Sequence, residues 1–167
     1  MGLFTVEELR EVISVKILAG RDSLSGKRRI RQVSTDSRSI RRGDLFVALR
    51  GEQFDGHEFV PAVLAKGAAG AIVHDEYSLP PSSASVRRLE GRSAPFLFGV
   101  QDPLFAYQQL ATHHRSRFSI PVVAVTGSNG KTTTKDMVAA VLVQRWRTLK
   151  TEGNFNNRIG VPYTLFR

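Results

Sequence analysis

The chain has 167 residues, 41% of them hydrophobic, no cysteine, and 24 Lys and Arg against 15 Asp and Glu, a formal net charge of +9. Such a composition supports a folded core, and it excludes a disulfide framework or a thiolate metal site, which suits a reducing, cytoplasmic setting. Glu7, Glu8, Arg10 and Glu11 break up any leader-like apolar run, and nothing approaches the ~18 apolar residues of a membrane span. The basic residues stand in short groups (Lys27-Arg28-Arg29, Arg41-Arg42, Arg87-Arg88), without a nucleic-acid-binding signature. Anionic small molecules, not nucleic acid, are the expected partners of a monomeric chain.

Thr5 and Glu8 form a capping box ahead of Val6, Leu9, Val12 and Ile13, so a helix is expected from Thr5 to Ile13. Ala19 to Arg31 reads as a loop and Arg31 to Asp36 as a strand entering the turn at Arg42-Gly43-Asp44. Leu45 to Leu49 has strand length, Gly51 to Gly56 is a loop, and Glu58 to Lys66 is a helix with Pro61 in its first turn and Gly67 as its stop. Ala71–Val73 and Pro95–Val100 are further strands, separated by an exposed loop over Tyr77–Gly91. Asp102-Pro103 starts a helix that runs to about Arg117, Asp as cap and Pro at the first helical position.

Pro121 to Thr126 is a valine-rich run with the composition of a buried parallel strand. Gly127 to Gly130 then makes a glycine turn, Lys131 and three threonines follow, and Asp136 to Gln144 has the pattern of an amphipathic helix. Strand, glycine turn, Lys-Thr and helix is the order of a phosphate-binding loop, in which backbone N–H groups and a helix N-terminus receive the anion. Lys131 is placed to reach the outer phosphates and the Thr132 hydroxyl to ligate Mg2+, with Thr133 a possible helper. The pattern G-x-x-x-x-G-K-[ST] would need glycine at 125, where Val125 stands, so the glycine has moved to Gly127. An ordinary strand-to-helix turn with a solvated Lys131 is the plainer alternative. Thr134 and Lys135 are assigned to the helix surface, and Arg147 to Lys150 to a second strand. TEGNFNN is a loop, and a further helix starts at Ile159.

Three blocks, TDSRSIRRGDLFVALRGEQFDGHEFVPAVLAKGA, VVAVTGSNGKTTTK and TEGNFNNRIGVPYTL, occur in the order and spacing found in the Mur ligases, and the chain resembles that family from about Val33 onward, apart from Tyr77–Gly91. The T-G-[ST]-x-G-K-T form of the loop in that family accounts for the displaced glycine. The resemblance implies an α/β fold: a small UDP-substrate-binding domain over residues 1–118, then the start of a central P-loop ATPase domain with a parallel sheet over 119–167. It implies an ATP-dependent amide ligase of peptidoglycan synthesis, and hence of cell-wall biogenesis, cell shape and division, with ATP and Mg2+ as cofactors. The block Gly153–Leu165 resembles that of the branch joining D-alanyl-D-alanine to UDP-N-acetylmuramoyl-tripeptide through an acyl phosphate. A sister ligase adding a diamino acid, a folylpolyglutamate-synthase-like enzyme, and a module that only binds a nucleotide sugar stay open as alternatives. No acidic Walker-B-like strand follows Lys131, so the chain is expected to be an inactive fragment of the ligase.

By the same resemblance, Gly127, Ser128, Asn129, Gly130, Lys131, Thr132 and Thr133 bind ATP, Lys131 acts in catalysis and Thr132 holds the metal. Thr35, Ser37, Glu52, Gln53 and Phe54 contact the uridine, and Asn154, Asn156 and Asn157 contact the substrate, although asparagine and glycine are also ordinary turn formers. Asp36 and Arg38 are read as an ion pair shaping a turn, and Asp55-Gly56-His57 as a turn with a helix cap. His113 and His114 are assigned to the helix C-terminal carbonyls, and Trp146 to packing.

Overall fold

Short apolar runs broken by glycine and Asp-Pro punctuation give a chain of brief strands and helices. The computed structural model describes residues 2–21, 24, 28–80 and 94–167. Its strands are β1 (Phe4–Thr5), β2 (Lys16–Ala19), β3 (Arg29–Ile30), β4 (Val33–Ser34), β5 (Leu45–Val47), β6 (Gly70–His74) and β7 (Phe96–Val100). The helices are α1 (Val6–Val12), α2 (Val60–Ala65), α3 (Pro103–Ser116), α4 (Lys131–Leu142) and α5 (Gly160–Leu165), with a 3-10 turn at Gly56–Phe59. The chain divides into two compact units, Met1–Leu110 and Ala111–Arg167.

In the first unit the capping box forms as its residue types require. The Thr5 side chain accepts from the Glu8 N–H, and the Glu8 carboxylate accepts from the Thr5 N–H. Asp102 caps α3 in the same way, its Oδ1 accepting from Leu104 N at 2.8 Å and Phe105 N at 3.0 Å. The main sheet runs β2-β7-β6-β5-β4, with β4 to β7 parallel and β2 antiparallel at the edge beside β7. Successive residues of a strand face opposite sides. Phe46, Ala71, Val73 and Leu97 thus share one face with Val60, Val63 and Leu64 of α2, in one apolar cluster with Ile40, Ala48 and Ala68. Leu45, Val47, Ile72, Phe96 and Phe98 are buried on the other face.

Two expectations shift here. The stretch read as a loop after Ala19 contains β3, and β2 was not foreseen, its four residues being too few for any periodicity to show. The loop over Tyr77–Gly91 lies for the most part outside the described residues.

At the start of the sheet, the buried Asp44 carboxylate takes Arg31 Nε and Nη2 at 3.0 Å each and the Arg41 N–H at 2.8 Å. A buried carboxylate needs such partners. They fix the backbone where β5 begins.

The second unit holds α4, α5 and the end of α3. After α3 the Arg115 guanidinium donates to Phe118 O at 2.5 Å and Ile120 O at 2.8 Å, holding the chain as it enters the valine-rich run. Pro121–Thr126 and Arg147–Lys150 are not strands in this structure, contrary to the sequence reading. A strand is a property of a pair, and no described residue supplies a neighbouring ladder; Val122 and Val123 stay 68% and 61% exposed. His114 also departs from expectation. It is buried against the rings of Phe118 and Phe166, and burial lowers its pKa, which favours neutral imidazole over a cation serving the helix carbonyls. Trp146 is 57% exposed, with the Arg145 guanidinium 5.4 Å from its ring, so it is not core packing.

A Cβ added at Gly70 would lie 2.5 Å from the Phe96 ring and 2.6 Å from its carbonyl oxygen. Because the backbone oxygen cannot swing away, Gly70→Ala is expected to destabilise the first unit by about 1–3 kcal/mol. Urea unfolding of the variant beside the wild type measures this.

Candidate functional site

The turn between residues 127 and 130 has the backbone that its glycines permit. Gly127 has φ 144° and Gly130 φ 74°, conformations that side-chain-bearing residues rarely adopt. Gly130 is the N-cap of α4, and no side chain caps the helix. The first-turn amides of a twelve-residue helix are therefore left to a ligand or water. α4 begins at Lys131, earlier than the amphipathic pattern suggested, so Lys131, Thr132 and Thr133 form its first turn. Lys131 folds back over the turn, its Nζ donating to Gly127 O at 2.6 Å and Ser128 O at 3.3 Å. Ser128, Asn129, Thr132 and Thr133 are exposed.

This arrangement fits a polyphosphate: an uncapped helix N-terminus, a glycine turn too bare to obstruct an anion, and an ammonium held across it. For a metal the structure offers less. Among the described residues no group of three His, Asp or Glu side chains could hold an ion. A lone Thr132 hydroxyl serves Mg2+ only beside phosphate oxygens and water.

Lys135 corrects the sequence reading. It is not a surface residue: its side chain is only 19% exposed, and Nζ donates to Thr151 O at 2.6 Å and Gly153 O at 3.1 Å. This ammonium ties α4 to the loop carrying the asparagines. A second tie joins Lys150 Nζ to Asp136 Oδ1 at 2.7 Å, and that hydrogen bond holds the Asp136 carboxyl below its ordinary value. Asn157 is partly spent on structure, its Oδ1 accepting from Ile159 N at 3.1 Å and Gly160 N at 2.7 Å at the start of α5. Asn154 and Asn156 are exposed. Gly160 is required by space, since a Cβ there would meet the Phe155 backbone at 2.6 Å.

In the first unit, Thr35 and Ser37 follow β4 and the Glu52–Phe54 segment follows β5. Both lie beyond the carboxyl ends of adjacent parallel strands, the edge at which open α/β sheets receive ligands. Asp36 and Arg38 pair at 2.8 Å as expected, and that hydrogen bond lowers the Asp36 pKa. Residues Arg50 to Asp55 form a small hairpin, with Gly51 N donating to Phe54 O at 2.9 Å and Gly56 N to Leu49 O at 2.8 Å. At its tip Glu52, Gln53 and Phe54 are exposed, the Phe54 ring to 73%.

The hairpin base is closed by charge. Arg50 Nε donates to Asp55 Oδ2 at 2.9 Å, while Asp55 Oδ1 accepts from His57 N at 2.9 Å and faces His57 Nδ1 at 2.5 Å. The expected cap is therefore present. Burial alone would raise the Asp55 pKa, but the backbone and ring of His57, then Arg50, outweigh it and hold the carboxyl at about 2.

Comparison with known proteins identifies the family. The model of the Mur ligase family catalytic domain matches residues 29–97, and that of the Mur ligase middle domain matches residues 125–167. This chain belongs to the Mur ligase family. It is 50% identical over 143 residues to the UDP-N-acetylmuramoyl-tripeptide--D-alanyl-D-alanine ligase of Synechocystis sp., covering 86% of this chain and 29% of that relative. Among solved structures, MurF from Acinetobacter baumannii superposes with a TM-score of 0.78 at 34% identity, over 98% of this chain and 32% of that one. MurF ligase from Thermotoga maritima in complex with ADP gives a TM-score of 0.66 at 32% identity, over 81% of this chain and 28% of that one. The chain thus spans less than a third of each of these relatives. None of the helices among the described residues is long and apolar enough to cross a membrane.

Two outcomes follow from these contacts. The Asp55 carboxyl titrates below its unfolded value of 3.8, so the stability it contributes is present above about pH 4 and is lost as the pH falls towards about 2. Denaturant unfolding across that window should show a loss that Asp55→Asn flattens. In the second unit, Lys135→Met should speed amide hydrogen exchange over residues 151–157 while leaving that of α1 unchanged.

Proposed function

We propose that this chain supplies the uridine-binding and phosphate-loop parts of an ATP-dependent ligase that joins D-alanyl-D-alanine to UDP-N-acetylmuramoyl-tripeptide. The observation that carries the reading is the uncapped N-terminus of α4, with Lys131 folded over Gly127 and Ser128, and the loop bearing the exposed Asn154 and Asn156 held to α4 by Lys135. The ligases of this name among the relatives, and the ADP complex of one of them, support it. Residues 1–118 are the UDP-substrate part and residues 119–167 belong to the nucleotide part.

A carboxylate oxygen of the tripeptide takes the γ-phosphoryl group of ATP, the bond between the β and γ phosphates breaks, and ADP leaves an acyl phosphate behind. The amine of D-alanyl-D-alanine then attacks the acyl carbon, the C–O bond breaks and phosphate leaves. The amides of Gly127–Thr133 bind the polyphosphate and orient it. Lys131 exchanges its two carbonyl acceptors for phosphoryl oxygens, on which charge grows during transfer. Thr132, with Thr133 beside it, would supply a hydroxyl to Mg2+, which when bound would offset charge on the phosphates. Asn154 and Asn156 donate amide hydrogens to the substrate without adding charge. Thr35, Ser37 and the Glu52–Phe54 tip hold the uridine, Phe54 offering an apolar face to the base. The reaction belongs to peptidoglycan precursor synthesis, in the cytoplasm, by a monomeric enzyme.

The test is acceptor-dependent ATP hydrolysis by the complete ligase containing this segment. D-alanyl-D-alanine should stimulate it, and Lys131→Ala should lower kcat by about 10²-fold or more. Stimulation by a free diamino acid in place of the dipeptide would overturn the assignment. The 167-residue chain by itself is expected to bind UDP and to form no amide product.

A further inference from the structure

His57 has no part in the chemistry above, yet it is 8% exposed and both of its ring nitrogens are engaged. Nε2 lies 2.9 Å from the backbone N of His74, and an N–H can only donate, so Nε2 carries the lone pair. Nδ1, facing the Asp55 carboxylate at 2.5 Å, carries the proton. Geometry therefore selects one tautomer.

The place of this ring in the sheet matters more than its burial. β5 and β6 are parallel, and Ala48 N donates to Ile72 O at 2.9 Å. The next rung requires an acceptor for the His74 N–H, which a continuation of β5 would normally supply. Here the imidazole supplies it. The chain is thereby released from the sheet after Ala48 and turns out into the Arg50–Asp55 hairpin. Asp55 connects the two ends of the device: it holds the His57 proton on one oxygen and Arg50 across the hairpin base on the other. The Tyr77 ring, 5.4 Å from the imidazole, closes the remaining side.

We infer that His57 is a positioning residue for uridine recognition: its ring replaces a missing rung of the sheet and so sets where the Glu52–Phe54 tip stands over the carboxyl ends of β5 and β6. This rests on the proposed uridine role of that tip. It assigns His57 no contact with the ligand. Its two nitrogens have separable duties, which glutamine and asparagine mimic one at a time: glutamine places an acceptor where Nε2 stands, and asparagine a donor where Nδ1 stands.

The experiment titrates UDP into the 167-residue chain calorimetrically, for the wild type, His57→Ala, His57→Asn and His57→Gln, at a temperature where each is folded by circular dichroism. Amide hydrogen exchange is followed at Gly51, Gly56 and His74. Loss of a buried acceptor predicts about tenfold weaker UDP binding for the alanine and asparagine variants, with faster exchange at all three amides. The glutamine variant should recover most of the affinity and the protection. In the wild type, 15N spectra should show His57 protonated at Nδ1 alone. A folded His57→Ala that binds UDP as tightly as the wild type overturns the inference, as does equal affinity of the asparagine and glutamine variants. If the wild type binds no UDP, the uridine reading fails, and the exchange data still decide the positioning role: protection kept in His57→Ala would refute it.

Discussion

Parallel pairing of β4 to β7 is the constraint on which the first unit depends. Parallel strands all end at one edge, so whatever follows each of them is delivered to the same side of the sheet. Short strands make this severe. With two residues in β4 and three in β5, there is little ladder to absorb an error, and the turn residues carry the register. Asp44 illustrates the point. Its buried carboxylate ties Arg31, before β4, to the Arg41 backbone, before β5, so one ion pair sets the start of two neighbouring strands.

The second unit works by a different means. It has no sheet among the described residues, and its order comes from lysine side chains reaching backbone carbonyls and one carboxylate. Lys131 closes the glycine turn, Lys135 draws the 151–153 segment to α4, and Lys150 reaches Asp136. Each of these spans a short gap with one flexible chain, so the elements are laced together more than packed.

How much of this could be read beforehand depends on how local each feature is. Thr5 with Glu8, the Asp102 cap on Leu104 and Phe105, Asp55 with His57 and Asp36 with Arg38 are contacts within a few residues, and all were legible. The glycine turn at 127–130 was legible because side-chain-bearing residues rarely adopt the φ values found there. Strands β6 and β7 were visible as apolar runs, whereas β2 is a short edge strand with no pattern. Pro121–Thr126 shows the reverse failure: composition names a strand, but pairing makes one. The roles of Lys135 and of His57 Nε2 stayed hidden because their partners are backbone atoms 16 and 17 residues away, and backbone atoms carry no sequence signal.

The antiparallel edge has a consequence for how the molecule is made. β2 lies near the start of the chain, yet Lys16 pairs with Gly99 and Ile17 with Phe98. Strands β4, β5 and β6 can assemble in sequence as they leave the ribosome, but β2 must wait, unpaired, until β7 has been synthesised. Closing a loop of that length is slow compared with local helix formation. The capped helix α1 has only seven residues, too few to hold on its own, so it too depends on packing against the rest of the unit. Pairing of β2 with β7 thus joins the start of the first unit to its last strand.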